Sequence, residues 1–221
     1  MNDDQPPEPL TNEELEQLPV FPLARVVFFP GTLLPLHLFE PRYRTMIEDC
    51  VTTGPRALAV ALLEPGYESD YEGRPPIRSI AGVGRIIAHE RNGNGTHDIV
   101  LHGLERVRLE ELAPDKPYRQ AKAIALAAEA ESVNQGDILA LLACAGQVAE
   151  VVRRKHPEFS LGVSARDPAA HVADTLADRF VADTDKRQAI LEELNLPRRV
   201  ALVTDAIGEL LAMLASRDLP S

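Results

Sequence analysis

The sequence contains no tryptophan, only two cysteines and no long apolar run. Neither Cys50 nor Cys144 has a second ligand at CxxC-like spacing, so we expect no zinc site. Each lies among apolar positions of a predicted helix, which indicates reduced core thiols; a disulfide between them is the alternative. No run approaches the roughly 18 apolar residues that a membrane helix needs. Acidic residues stand where a signal peptide would carry basic ones, so we predict a cytoplasmic protein that does not bind membranes.

The charge of the chain is acidic and unevenly distributed. Its net charge is -11 at pH 7, and this sign opposes general binding to nucleic acids or to anionic membranes. The charged side chains of residues 1–17 are all acidic, and the same stretch is rich in proline. We therefore predict that residues 1–17 form a mobile acidic leader, with a short helical turn at 13–17.

The pattern of apolar residues changes near residue 130 and predicts an α+β fold. Short extended segments are predicted at 20–23, 26–30, 33–39, 58–63, 80–90, 96–102, 107–112 and 118–126, with a hairpin at Asn92-Gly93-Asn94-Gly95. One helix begins at Pro41 within this part. Helices are predicted around 138–152, from Asp167 and Pro168 onward, at 189–194 and at 197–216. The expected division is a β-rich subdomain over 18–128 and a helical subdomain over 129–221.

Motifs that suggest chemistry are incomplete in this chain. Gly82-Val83-Gly84 has Ile87 at the third position of a dinucleotide-binding loop, so these glycines indicate a bulge or a close backbone approach. Gly162-Val163-Ser164-Ala165-Arg166 lacks the last glycine of a nucleophile elbow, and we assign no catalytic serine.

Histidines and carboxylates likewise do not define an active site. His89, His97 and His102 lie around the predicted hairpin without an HExxH motif, so we expect solvent-facing histidines and no bound metal. Glu40 and Arg42 are interpreted as a structural polar pair or cap, because one carboxylate without a facing partner is not a mechanism.

Six segments of the β-rich half carry a family resemblance: LPVFPL (18–23), FFPG (28–31), LHLFEPRY (36–43), GVGRI (82–86), GLERVRL (103–109) and PYRQA (117–121). In this order they resemble the amino-terminal domain of Lon proteases. In the helical half the similarity includes Asp183, Lys186, Gln188, Leu191 and Arg199. It spans about residues 18–215.

The resemblance implies a β-rich barrel of PUA-like topology followed by a helical bundle. In Lon proteases this region helps to recognise unfolded or tagged proteins, whereas other domains hydrolyse ATP and cleave peptides. The sequence has no GxxxxGK[ST] phosphate loop. We therefore expect a stand-alone, non-catalytic module without a cofactor, which binds unfolded or extended polypeptide or a regulatory protein in quality control or as an adaptor.

An apolar set on a proline-broken edge is the predicted peptide-binding site. Its members are Phe28, Phe29, Leu33, Leu34 and Leu36, with Phe39 beside them. Two other functions are considered. PUA-like barrels in other families bind structured RNA, and a basic stripe of Arg74, Arg78, Arg85 and Arg91 would favour that function. A hydrolase would require His and carboxylate groups that converge in a cleft.

Overall fold

The computed structural model describes residues 7–71, 73–127 and 132–217. By contact the chain divides into two compact units, one that ends at Leu126 and one that begins at Ala127. The expected boundary between residues 128 and 129 lies outside the described residues, as does the part of the predicted leader at 1–6.

The first unit is a small barrel with an added strand. Six strands are arranged in the order β2-β5-β4-β3-β1-β6, and a further pairing of β5 with β6 closes β5, β4, β3, β1 and β6 into a barrel. β1 and β3 are parallel, and the other pairs are antiparallel. The elements are α1 (Asn12–Glu16), β1 (Leu18–Leu23), β2 (Leu33–Leu38), α2 (Pro41–Thr52), β3 (Ala57–Leu62), β4 (Ile80–Arg91), β5 (His97–Glu111) and β6 (Arg119–Ala125).

The alternation of small and large side chains along the strands separates two apolar clusters. Ala57, Ala59 and Ala61 of β3 belong to a cluster of mainly small residues from the five barrel strands. Their size suits the narrow interior that a barrel of few strands encloses. Leu58 and Val60 point the other way, into a second cluster that includes the buried face of α2. β3 is therefore buried on both faces.

The helix α2 follows the predicted apolar stripe. Pro41 occupies its first turn, and Tyr43, Met46, Ile47 and Cys50 are buried against the second cluster. Proline fits there because the first amides of a helix have no intrahelical acceptor.

Residues 26–30, predicted to be extended, pass against β4 and β5 without joining the sheet as a strand. A side chain at Gly82 would collide with the carbonyl oxygen of Phe28, and one at Gly103 with that of Phe29. The ladder between β4 and β5 also shifts register between Val83 and Gly84. The interpretation of Gly82 and Gly84 as a bulge or a close backbone approach is confirmed.

Residues 8–16 of the predicted leader contact the barrel. Thr11 and Glu14 form a reciprocal capping box at the start of α1, and Leu10 and Leu15 pack against the small-residue cluster. These apolar contacts, together with part-buried hydrogen bonds from Arg85 to Glu14, hold residues 8–16 on the barrel despite their acidic, proline-rich composition.

The described part of the second unit contains four helices: α3 (Gln135–Arg153), α4 (Ala169–Phe180), α5 (Thr184–Glu192) and α6 (Leu196–Arg217). α6 packs against the other three. Pro168, rather than Asp167, precedes α4 as its cap, because the Asp167 carboxylate accepts hydrogen bonds from the backbone and hydroxyl of Ser164. Ser164 thus lies at the start of a turn that precedes α4.

By length and composition alone, α3 could cross a membrane. The apolar pattern of the sequence predicted no such segment. Ile138, Leu141, Ala145 and Val148 of α3 are buried, and 28% of the apolar window as a whole is buried.

Candidate functional site

An exposed apolar row runs along β2. Successive side chains of a strand point to opposite faces, and Leu34, Leu36 and Leu38 face the cluster shared with α2. The other row points to solvent. Within it Leu33 is 58% exposed and Phe39, just beyond the strand, is 63% exposed. The complete row is Leu33, Pro35, His37 and Phe39.

A groove of about 530 Å³ lies beside this row, across β2, β5 and β4. Pro35, Val100 and Ala88 are cross-strand neighbours on its floor. A register shift between Ile86 and Ala88 turns the intervening Ile87 to solvent, where it is 50% exposed. The β2 groove and the exposed row together form an apolar surface on an otherwise acidic protein.

The free edge of β2 supplies backbone groups to this surface. Among the described strands, β2 pairs only with β5. The Gly103 amide donates to the carbonyl of Thr32 at 2.9 Å, so alternation directs the backbone groups of residues 34, 36 and 38 toward β5. Those of Leu33, Pro35 and His37 point outward. Pro35 fits this row because it has no N–H to contribute to the ladder.

Polar side chains close one end of the groove. The Nδ1–H of His37 donates to Asp98 Oδ1 at 2.6 Å, and the Asn92 amide donates to Asp98 Oδ2 at 2.7 Å. The hydrogen bond from Asn92 is the largest cause that lowers the pKa of Asp98, and the hydrogen bond from His37 is the next. The His37 ring also stacks on Phe39, with centroids 6.3 Å apart. The groove therefore has an apolar floor and a fixed, anionic end.

Two histidines, His89 and His97, contact each other beside the groove, which His89 lines. His89 Nε2 and His97 Nδ1 are 2.8 Å apart, so one ring donates a proton to the other. Desolvation is the largest cause that lowers the pKa of His89, and charge repulsion by the neighbouring His97 and Arg56 lowers it further. His97 is 1% exposed; the expectation of solvent-facing histidines is wrong for it, because β5 turns its side chain inward. No cluster of three or more metal-binding side chains occurs among the described residues.

The residues expected to bind peptide lie in three different environments. Phe28 and Phe29 are 2% and 0% exposed, so they are core residues and not a surface for ligands. Leu34 and Leu36 are half-buried and pack on the core. Of the five, only Leu33 is mostly exposed to solvent.

Residues absent from the expected set complete the surface. They are Pro35, Ile87, Ala88 and Val100. The period-two alternation of β2 is the sequence signal that distinguishes its exposed row from its buried row. The expected pair of Glu40 and Arg42 is confirmed, with 3.0 Å between Arg42 Nε and Glu40 Oε2.

Fold and site together define a class of protein: an α+β protein whose barrel carries an open edge strand beside an exposed apolar groove. The family model for the ATP-dependent protease La (LON) substrate-binding domain matches residues 17–209. The chain belongs to this family.

Relatives and solved structures agree with this assignment. The chain is 28% identical to Lon protease 2 of Myxococcus xanthus over 92% of its own length, and 26% identical to the Lon protease of Anaeromyxobacter dehalogenans over the same share. It spans about a quarter of these relatives, 25% and 24% of their length.

Two solved structures share the fold. One is the N-terminal domain of Mycobacterium avium complex Lon protease, with a TM-score of 0.66 and 15% identity, over 88% of this chain and 99% of that one. The other is the Lon N-terminal domain protein from Xanthomonas campestris, with a TM-score of 0.61 and 23% identity, over 89% and 97%.

Proposed function

We propose that the chain is a non-catalytic module that binds extended, apolar polypeptide along β2. The observation that carries this proposal is the coincidence of a free strand edge with an exposed apolar row and groove on the same strand. The family assignment supports it, since the matching domain is described as substrate-binding.

The bound segment would add a strand to the sheet. The outward amides and carbonyls of Leu33 and His37 can pair with an extended peptide, and the Pro35 carbonyl can accept one more hydrogen bond. Alternate side chains of that peptide would then reach the face that bears Leu33 and Ile87. Backbone pairing is insensitive to sequence, so such a surface would accept many unfolded segments and prefer apolar ones.

The lining of the groove favours binding over catalysis. Histidine and carboxylate groups do converge there, but the nine residues that line it include no serine, threonine, cysteine or lysine that could attack a substrate. Asp98 is already held by His37 and Asn92. The proposed function needs no covalent step and no cofactor.

Three of the four arginines that would favour RNA binding are paired with acidic groups, so the four do not form a free basic stripe. Arg78 pairs with Glu64 at 3.3 Å, and Arg91 lies 3.6 Å from Glu48. Arg85 is bound by the amino-terminal segment. RNA is therefore a comparison ligand in the test below.

By analogy with the family, we place the module in the cytoplasm, in protein quality control or as a regulatory adaptor. Its ligand would be an unfolded polypeptide or an extended segment of a regulatory protein.

The test is a fluorescence-anisotropy titration against a labelled unfolded polypeptide and a structured RNA, at low and moderate salt. Leu33→Ser with Ile87→Ser removes two exposed apolar side chains, and Ile124→Ser is the matched control because Ile124 is 41% exposed on β6. Partial burial of two such side chains contributes about 1–2 kcal/mol, so the double variant should bind roughly tenfold more weakly. Equal binding by the folded double variant and the wild type would refute the proposed surface.

The mode of binding has its own test. A peptide N-methylated at alternate positions along one edge cannot form the added ladder on that edge. We expect it to lose affinity, whereas the isomer methylated on the other edge should bind as the parent does. Equal affinities of the two isomers would exclude strand addition and leave only apolar contact.

A further inference from the structure

A second cleft of the barrel unit, separate from the β2 groove, is lined by cations. It has a volume of about 230 Å³, and none of its lining residues is acidic although the chain has a net charge of -11. The side chains that matter are Arg42, Arg74, Lys116 and Arg119, with Tyr43 and Tyr118 beside them. Cations that line a small cleft favour an anion within it, to the extent that neighbouring acids do not cancel their charge.

Contacts with Glu40 and two tyrosine rings fix the side chain of Arg42. Its Nε donates to Glu40 at 3.0 Å, and its guanidinium lies 4.8 Å from the ring centroid of Tyr43 and 5.7 Å from that of Tyr71. Its Nη1 forms no bond to a described residue. A guanidinium fixed in this way can present its free edge to a ligand with little loss of conformational entropy.

Arg119 is fixed more firmly. Its Nη1 donates to both carboxylate oxygens of Glu111 at 3.2 Å, and its Nη2 donates to the Pro75 carbonyl at 2.6 Å. The side chain is 7% exposed, so its charge acts in a poorly screened environment.

The other two cations are more accessible. Lys116 donates to Asp49 at 3.0 Å, and the Tyr118 hydroxyl donates to the same carboxylate at 2.7 Å. Arg74 is exposed and forms no hydrogen bond or ion pair to any residue that the structure describes. Three acids thus stand behind three cations, and Arg74 leaves an excess of positive charge at the mouth of the cleft.

We propose that this cleft binds a phosphate group, either free or carried by a small molecule or a side chain. A tetrahedral dianion can contact several of the four cations at once, whereas a monocarboxylate satisfies one or two. The planar guanidinium groups match phosphate oxygens in bidentate geometry. The volume is several times the roughly 30 Å³ that one water occupies, so a phosphate and a small attached group fit.

The test uses ¹⁵N-labelled whole chain, titrated with inorganic phosphate at constant ionic strength. We expect saturable shifts of amide signals near the cleft, such as those of Arg74 and Lys116. Arg74→Ala should weaken binding about tenfold, because a hydrogen bond to a charged group is lost. Arg108→Ala is the control, since Arg108 is exposed on β5 and does not line the cleft.

Two further arms identify the ligand. Sodium acetate should give no saturable shifts, and O-phosphoserine that binds more tightly than phosphate would assign the cleft to phosphate esters. Equal affinity for acetate and phosphate would overturn the assignment. So would an absence of saturable shifts, or an Arg74→Ala variant that binds phosphate as tightly as the control.

Discussion

Replacing Arg85 with alanine should release the amino-terminal segment from the barrel. The guanidinium donates to the carbonyls of Glu8 and Pro9 at 3.0 and 2.9 Å, and to that of Pro55 at 2.7 Å. It also binds both oxygens of Glu14, at 2.6 and 3.0 Å. One side chain of β4 therefore ties the segment before β1 to the loop before β3.

The magnitude follows from the burial of this ion pair. The side chains of Arg85 and Glu14 are 16% and 20% exposed, so solvent screens the pair less than a surface salt bridge. Loss of hydrogen bonds to a charged group costs about 1.5–3 kcal/mol. If the free energy required to open the segment locally falls by that amount, amide exchange in the segment should become roughly 10- to 150-fold faster.

Hydrogen exchange measured by mass spectrometry on a peptide spanning residues 8–18 tests this prediction without requiring two-state unfolding of a two-unit chain. Arg108→Ala is the control for the loss of a positive charge. Protection in Arg85→Ala equal to that in the control would show that the apolar contacts of Leu10 and Leu15 suffice, and that the magnitude above is wrong.

The same contact predicts a dependence on pH. The Arg85 hydrogen bond is the largest cause that lowers the pKa of Glu14 below its ordinary value of 4.5. A lowered pKa means that the contribution of the carboxylate to stability is complete above 4.5 and is lost as pH falls through the folded-state pKa. Protection of the segment, normalised to intrinsic exchange, should decline over that range, and Glu14→Gln should remove most of the decline.

Two further predictions concern buried positions. Gly82→Ala should lower the free energy of unfolding of the barrel unit by about 1–3 kcal/mol in urea denaturation, because the new methyl group meets the backbone of Phe28. Gly93→Ala is the control: nothing lies within 4 Å of the added carbon, so the free energy of unfolding should change by less than about 0.5 kcal/mol. Equal effects of the two substitutions would contradict the close approach at Gly82. Burial raises the pKa of Cys50 to about 12. Iodoacetamide at neutral pH should therefore alkylate the half-buried Cys144 first and Cys50 only after unfolding. Equal alkylation rates of the two cysteines in the folded protein would show that Cys50 is accessible.

The strongly periodic helices could be predicted from the sequence, whereas element boundaries set by tertiary contacts could not. The stripe of α2 and that of α3 were evident from spacing alone. β5 was expected as two separate segments, 96–102 and 107–112, with a break that includes Gly103. Here that glycine instead permits the Phe29 backbone to pass against a continuous strand. The distinction depends on a partner 74 positions away in sequence, which local patterns do not reveal.

The start of α5 shows the same limit at a helix end. Apolar spacing predicted a helix from residue 189, but it begins at Thr184 because the Asp183 carboxylate accepts from the Lys186 amide at 2.9 Å. An aspartate three residues before a lysine is a weak signal on its own, and the first turn of α5 is mostly polar. Capping, rather than burial, determines where this helix begins.

To predict the candidate site from the sequence, one must know which of the two rows of alternating side chains on β2 faces the core. Leu33, Leu34, Leu36 and Phe39 are all apolar, so hydrophobicity alone does not separate the rows. His37 does, because it is the polar side chain of the strand, and residues two positions apart share a face. Leu33 and Pro35 therefore lie with it on the solvent side. The proline fixes only the direction of the backbone groups, because it has no N–H to contribute to the ladder. The exposed leucine is thus identifiable from the histidine four positions on, whereas Ile87, turned outward by a bulge in another strand, becomes part of the site only through the fold.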